Sequence, residues 1–313
     1  MEKEVRKGPA LKTIIEFSIF HLVPLFAIYT GATAFDWWLC LGMYYFRMFW
    51  ITGGYHRYFS HKTYKTSRVF QFFIAFFAET SVQKGVLWWG AHHRDHHRTS
   101  DTPADPHSMK IYGFWYSHMG WIAGPEYKET DFKAIQDYAK FPEIRWLDKH
   151  YTFPVWITMI TLFVIGGFVN STSTSLDWLV LNEGAWSLQG GLSTLLIGFF
   201  LSTAILFHGT FSINSLMHKI GKKRYDSGDE SKNSLILALV TLGEGWHNNH
   251  HYYMSSTRQG FYWWEIDITY YILKMFSWVG LVWDIQEVPK HIKDSRSMQE
   301  AKQLLNSSKR KAA

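Results

Sequence analysis

Three short histidine-rich boxes constrain this chain more than any other feature. His56 to His61 reads HRYFSH, His93 to His97 reads HRDHH, and His247 to His251 reads HNNHH. Just before the third lies Asn214-Ser215-Leu216-Met217-His218. The boxes hold eight of the 16 histidines, and His218 makes nine. Imidazole is the commonest neutral nitrogen ligand for Zn, Cu, Fe and Ni, and one tetrahedral ion needs about four ligands. Nine clustered histidines therefore point to two metals, so the fold must bring the boxes together. Residues three and four apart share a helical face. His93, His96 and His97 can thus converge on one point, as can His247, His250 and His251. His56 and His61 are five apart, about 140° off one face of a regular helix. That pair belongs where a helix ends or bends.

The boxes are set among apolar segments. Of the 313 residues, 16 are Trp, 17 Tyr and 24 Phe, and Trp and Tyr concentrate at membrane interfaces. The mean hydropathy of −0.14 averages very uneven stretches. A bilayer crossing needs about 20 apolar residues, and four stretches qualify. Phe17 to Phe35 and Phe153 to Val169 carry little or no charge, Trp37 to Gly54 contains Arg47, and Gly184 to Met217 has no Asp, Glu, Lys or Arg. Arg47 is expected to snorkel toward the interface. Phe70 to Ala78, ending at Glu79, is too short to span and reads as an interfacial or re-entrant helix. The single cysteine, Cys40, excludes an intramolecular disulfide and a CxxC metal site and reads as a small buried hydrophobe. The charged first dozen residues and the long apolar stretch after them are unlike a cleavable signal peptide.

All boxes must lie on one side of the membrane. The loop at about Asn170 to Ala185 carries Asp177 and Glu183 but no Lys or Arg. Lys3, Arg6, Lys7, Lys12, Lys309, Arg310 and Lys311 mark the two ends. The positive-inside rule places both termini and every box in the cytoplasm, and the net charge of +6 suits an anionic leaflet. The sequence contains no nucleic-acid module. Lys128 to Lys149 reads as a surface helix, Phe261 to Trp283 as an amphipathic helix on the membrane, and the charged tails flank one domain over 1–313 with its core at about 35–284.

In this order and with this hydropathy, HxxxxH, HxxHH and HxxHH resemble the membrane fatty-acid desaturases. Trp88-Trp89, Ser100-Asp101-Thr102, Ala104-Asp105-Pro106-His107, Ser117-His118-Met119-Gly120-Trp121 and Gly243-Glu244-Gly245-Trp246 are similar to the acyl-CoA Δ9 members in particular. The resemblance covers about 35–284. It implies an all-α integral membrane protein with four transmembrane helices and a cytosolic helical cap around a di-iron site. The implied ligands are His56, His61, His93, His96, His97, His218, His247, His250 and His251, with Asn214 acting through water. His92 falls at a family position outside the ligand set and is expected beside the ligands, as are Asp95, Asp101, Asp105 and Glu244, because ligand imidazoles usually donate their other N–H to an acceptor. His107 and His118 also match positions outside the ligand set. His21, His150, His208 and His291 have no partner at ligand spacing and read as structural. Tyr44 and Trp89 are expected along the acyl slot, Tyr44 as its plug.

The implied activity is O2-dependent insertion of a cis double bond, at Δ9, into a saturated C16 or C18 acyl chain. Its partners would be two Fe ions, the acyl substrate, O2 and the bilayer. Electrons would come from a separate donor, cytochrome b5, ferredoxin or rubredoxin with a reductase, because the chain lacks an HPGG haem motif. The membrane would be a bacterial inner membrane or the endoplasmic reticulum. Animal members carry an arginine for the coenzyme phosphates where this chain has Ala91. Lys84, or Lys222, Lys223 and Arg224, are the alternative cations for the carrier head group, and acyl-CoA, acyl-lipid and acyl carrier protein stay open. The same scaffold hosts hydroxylases, sterol oxidases and ketolases. A non-enzymatic metal-binding membrane protein is the reading from another class, but transporters hold their ligands near the midplane. A zinc hydrolase would need a motif such as HExxH, which is absent.

Overall fold

A computed structural model describes residues 10–124, 129–170 and 185–295. Lys3, Arg6, Lys7, Lys309, Arg310, Lys311 and nearly all of the Asn170–Ala185 loop lie outside these residues. The chain is mostly helical, and the one small sheet among the described residues is a two-residue antiparallel pair, Lys65 and Thr66 against Trp283 and Val282.

The first apolar segment is helical from Leu11 to Thr30, as α1 (Leu11–Leu22), a 3-10 turn (Val23–Phe26) and α2 (Ala27–Thr30). Pro24 lacks the N–H that a regular helix would use, and Gly31 at φ 73° ends the run. The expected span Phe17–Phe35 is thus displaced toward the N-terminus. Thr33 and Asp36 then form a capping box for α3 (Ala34–Phe49). Asp36 is buried and also accepts from Asn170 Nδ2 at 2.9 Å, Ser193 Oγ at 2.5 Å and Thr194 Oγ1 at 2.6 Å. One carboxylate thereby ties α3 to α10 (Thr152–Val169) and α11 (Leu188–Thr194).

The helix of α3 continues without a break as a π-helix, Trp50–Ser60. Arg47 does not snorkel. It is 0% exposed, and its guanidinium donates to Thr203 Oγ1 at 2.6 Å, to Ser202 Oγ and to the Met43 carbonyl. The hydroxyls come from α12 (Ser202–Asn214), which follows a π-helical turn, Leu195–Leu201. They satisfy the cation inside the bundle, the other solution open to an intramembrane arginine. Cys40 is buried.

Among the described residues three helices, Leu11–Thr30, Thr152–Val169 and Leu188–His218, are long and apolar enough to cross a membrane. On α10 they leave Trp156, Ile160 and Phe168 exposed, an outward apolar surface of the kind that meets lipid. Asp36, Arg47 and the many aromatics leave the α3 segment below that threshold.

The other helices are mostly short. The short apolar run becomes α4 (Arg68–Glu79), buried along Gln71, Ile74, Ala75 and Ala78 and open at Val69 and Phe73. It lies so close to the π-helix that a Cβ at Gly54 would sit 2.9 Å from Ile74 Cγ2. The second box lies on α5 (Val86–Thr99). Next come α6 (Met109–Tyr112), α7 (Phe114–His118) and a 3-10 turn, Gly120–Ala123. Of the expected surface helix Lys128–Lys149, only α8 (Gln136–Ala139) and α9 (Pro142–Lys149) form; Lys128 lies outside the described residues. After α13 (Leu235–Val240) and α14 (His247–Tyr252), the amphipathic segment is helical only as α15 (Ile268–Trp278).

Candidate metal centre and acyl cavity

Local structure aims each box. Asp148 Oδ1 of α9 accepts from the Leu87 and Trp88 amides at 2.8 and 3.1 Å and so holds the N-terminus of α5. Asn233 Oδ1 does the same for α14, accepting from Asn248 N at 3.0 Å and Asn249 N at 3.2 Å. For the first box the π-helix removes the 140° mismatch. An i→i+5 bond runs from His61 N to His56 O at 3.2 Å, and a wider turn brings residues five apart to one side.

The nine histidines form two groups. His56, His61, His93, His97 and His250 bring their ligand atoms within 4.8 Å of one another, as do His96, His218 and His251. His247 joins the second group, its Nε2 3.2 Å from that of His218. The second and third boxes are each shared between the groups, so the expected convergence of each box on a single point does not occur. His93 and His97 turn one way and His96 the other; His250 parts from His247 and His251. The helices of the second and third boxes, α5 and α14, each present histidines to both groups, whereas His56 and His61 of the first box both join the first.

In the first group Nε2 atoms face each other in series. The separations are 2.9 Å for His61–His93, 3.1 Å for His93–His97, 3.0 Å for His97–His250 and 3.0 Å for His250–His56. A ring nitrogen has one lone pair or one proton and makes one in-plane hydrogen bond. The Nε2 atoms of His93, His97 and His250 each face two neighbours, which hydrogen bonding cannot satisfy and a shared cation can. Two nitrogens about 2.1 Å from one ion and at right angles lie about 3 Å apart. In the second group, His218 Nε2 faces His247 Nε2, and buried His251 Nε2, on the far side of the ring from Asp229, has no hydrogen-bond partner. The donor set fits metal ions at both places.

The protonation states agree. Burial, then the neighbouring imidazoles, holds His61, His93, His97, His247 and His250 well below the usual histidine range. Burial lowers His251 to about 4 despite Asp229. Neutral imidazole is the form that binds metal. His96 goes the other way: burial pulls it down, but Asp105, Asp229 and Asp101 outweigh burial and raise it.

Carboxylates orient several rings. Glu244 Oε2 lies 2.6 Å from His56 Nδ1, Asp105 Oδ1 2.9 Å from His96 Nδ1, and Asp101 Oδ2 3.8 Å from His218 Nδ1. Burial opposes ionisation of Glu244, but His56 and Arg57 outweigh it; Asp101 falls to about 2, mainly through His218 against its own burial. Asp95 instead pairs with Arg98 at the surface, because it sits on the outer side of α5. Sequence reasoning missed Asp229, 2.5 Å from His251 Nδ1. It also missed Arg57, which joins Glu244 at 3.2 Å to Asp267 at 2.9 Å, and Gln259, whose Nε2 donates to Glu244 at 2.9 Å.

A cavity of about 380 Å³ adjoins the clusters. Its wall combines His56, His93 and Asn214 with apolar side chains such as Phe20, Val155, Met159 and Phe200. Trp89 lines it, stacked on His93 with ring centres 4.9 Å apart. His92 and His107 line it too, His92 bonded through Nδ1 to the Trp88 carbonyl at 2.8 Å. Tyr44 is not in the wall. Its hydroxyl donates to the Val240 carbonyl at 2.9 Å, and its ring occupies a slot at Gly209, where a Cβ would lie 2.6 Å from the hydroxyl. Lys84 lines the cavity, whereas Lys222, Lys223 and Arg224 do not. Lys223 pairs with Glu230 and Arg224 with Glu265.

An apolar cavity thus lies beside two groups of clustered imidazoles, in a chain with helices long and apolar enough to cross a membrane. The family model for fatty acid desaturases matches residues 32–277, and the chain belongs to that family. It is 33% identical over 292 residues to the sn-1 stearoyl-lipid 9-desaturase of Synechocystis, covering 90% of this chain and 82% of that one. To the acyl-CoA C20 Delta5-desaturase of Anemone leveillei it is 32% identical, covering 87% and 80%. To acyl-CoA desaturase 1 of Saccharomyces cerevisiae it is also 32% identical, covering 83% of this chain and 48% of that one. The chain is thus an oxidoreductase of lipid metabolism, and the family and the histidine clusters together imply iron.

Proposed function

We propose that this chain inserts a cis Δ9 double bond into a saturated C16 or C18 acyl chain carried on coenzyme A. It uses two irons, O2 and electrons from a separate carrier such as cytochrome b5, ferredoxin or rubredoxin. The reading rests on one observation: a single cavity wall contains His56 and His93 together with apolar side chains from α1, α10 and α12. Iron held there supplies the O2 activation that cleavage of an unactivated C–H requires and no side chain provides. The protein supplies the rest. Each methylene buried in the cavity contributes about 0.8 kcal/mol, which fixes the chain along the wall. Trp89 is held between Tyr55 and His93, and Gln83 donates to Thr210 Oγ1 at 2.9 Å; these pairs stiffen the wall beside the clusters.

A second carrier, a glycerolipid, is favoured by the mouth of the cavity. Lys84 is the one Lys or Arg among its lining residues, and its exposed liners Glu16, Thr152 and Trp156 sit at the edge of α1 and α10. The deciding experiment is expression in a host lacking its own desaturase, followed by double-bond mapping. Purified enzyme is then given stearoyl-CoA or stearoyl phospholipid separately. A Δ9 product from stearoyl-CoA is expected; product from the phospholipid alone would reassign the carrier, and a hydroxylated product would favour the hydroxylase alternative.

The proposed membrane arrangement has four spans, the second running from Trp37 to Gly54, and places both ends and all three boxes in the cytoplasm of a bacterial cell or on the cytoplasmic face of the endoplasmic reticulum. With Cys40 replaced, a cysteine at Ser175 should react with an impermeant thiol reagent only from the opposite face; labelling from the cytoplasmic side alone would overturn the topology.

A further inference from the structure

The nine histidines of the two groups are not held alike. His93, His97, His247 and His250 sit within α5 and α14. His56, His96, His218 and His251 each have a carboxylate oxygen 2.5–3.8 Å from Nδ1. Among the described residues His61 has neither support. It is the residue that caps the π-helix, and its Nε2 meets His93 at 2.9 Å. A ligand ring stays aimed only while its supporting backbone is fixed, so the residues after His61 must supply that support.

Those residues turn sharply and are tied to a distant part of the chain. Lys62 takes φ 55°, in the left-handed region, which a residue with a Cβ adopts at a cost and keeps where its surroundings enforce it. The amides of Lys62 and Thr63 bond back to Tyr58 O at 3.0 Å and Arg57 O at 2.9 Å. Thr63 is buried, and its carbonyl accepts from Gln286 N at 2.9 Å and from Thr257 Oγ1 at 2.6 Å. Both lone pairs of that oxygen are thus used. Gln286 O accepts in turn from Thr257 N at 2.9 Å. Thr257 lies shortly after His251, so the exits of the first and third boxes are joined through the main chain of Gln286.

The segment Leu281–Lys293 is anchored on both sides of that link. Upstream, Val282 and Trp283 pair with Thr66 and Lys65, Thr66 Oγ1 donates to Leu281 O at 2.7 Å, and Lys65 meets Asp284 at 2.8 Å. Downstream, Val288 is buried with Tyr225 and Phe261, and the Tyr262 hydroxyl donates to Lys293 O at 2.9 Å. The family match ends at residue 277, before this segment begins.

We infer that Leu281–Lys293 is a strap that positions His61 in the first group by holding the turn at Lys62 and Thr63 against Thr257. The inference rests on the two-iron reading. Glu244, Arg57 and Gln259 join the first box to the third at His56 and Arg57, near the start of the box; the strap closes its other end. Asn248 and Asn249 anchor α14 independently, so slack in the strap is felt at His61. His61 belongs to the first group, and no member of His96, His218 and His251 is reached through it.

The test uses full-length, iron-loaded enzyme in lipid nanodiscs, challenged with an iron chelator while release is followed. Thr257→Val removes the hydroxyl at nearly constant shape. It should speed release from the first group roughly fivefold, the worth of one hydrogen bond, and leave the second group's phase unchanged. Thr257→Ser should restore the parental rate. Val288→Ala loosens the strap without touching Thr63 and should act in the same direction. In H250A, which retains the second phase alone, Thr257→Val should change nothing. Parental release in both T257V and V288A, or equal acceleration of both phases, would overturn the strap. Failure of the two-iron reading looks different: the parent releases its metal in one phase. Hydrogen exchange on iron-free protein then decides the strap, since the amides of Thr63, Lys65 and Thr66 should lose protection in T257V and V288A while those of α5 keep it. Unchanged protection at those three amides would overturn the strap as well.

Discussion

Replacing His250 with alanine should abolish desaturation and empty the first metal centre while leaving a folded membrane protein. His250 Nε2 lies 3.0 Å from both His56 and His97, so its loss opens the donor set in the middle. Removing a group that merely orients a ligand typically costs 10–100-fold in metal affinity or activity. Loss of the ligand itself should exceed the upper end, at least ~100-fold. The fold should survive because α14 is anchored by other residues: Asn248 Nδ2 donates to the Tyr225 carbonyl at 3.0 Å, and Asn249 Nδ2 to Glu265 Oε2 at 3.0 Å. Product analysis by gas chromatography and iron determination per chain check this. Parental turnover would remove His250 from the ligand set, and H97A should behave alike, since His97 occupies the matching position between His93 and His250.

The sequence carried the local parts of this site and not the long-range ones. Box spacing makes the histidines conspicuous because helical periodicity is local. It cannot say that α5 and α14 each present histidines to two groups, which splits His93 and His97 from His96. Hydropathy marks α10 almost to the residue, since Thr152–Val169 is uniformly apolar. It misreads Arg47, because Ser202 and Thr203, which satisfy it, lie far along the chain. Tyr44 is expected as a cavity plug from the family resemblance, yet Gly209 on another helix gives its ring a different slot. Asp229 follows Ser227-Gly228 in a surface-like polar stretch with no local link to His251. His21, His118 and His208 stand singly, without spacing of any kind, and meet only when α1, α7 and α12 pack.

Arg57→Ala should be the most destabilising single change near the site. The guanidinium is 1% exposed, donating to Asp267 Oδ1 at 2.9 Å and to Glu244 Oε1 at 3.2 Å. Removing one partner of a buried ion pair costs about 3–5 kcal/mol, because it leaves an uncompensated charge; here two carboxylates are left. Neither is idle. Asp267 Oδ2 accepts from Gln259 N at 2.7 Å, and Oδ1 from Tyr270 N at 3.0 Å as the cap of α15. Glu244 holds His56. With Arg57 gone, the Glu244 carboxyl should rise toward protonation, since Arg57 helps to hold it down. A protonated carboxyl accepts less well from His56 Nδ1, so the loss of stability should be accompanied by weaker iron retention. Thermal unfolding in detergent and iron loss to a chelator measure the two effects. Glu244→Gln separates them: it should weaken iron retention while costing less stability, because Arg57 keeps Asp267. A variant R57A that melts with the parent protein would show that the triad contributes nothing to holding the third box against the first.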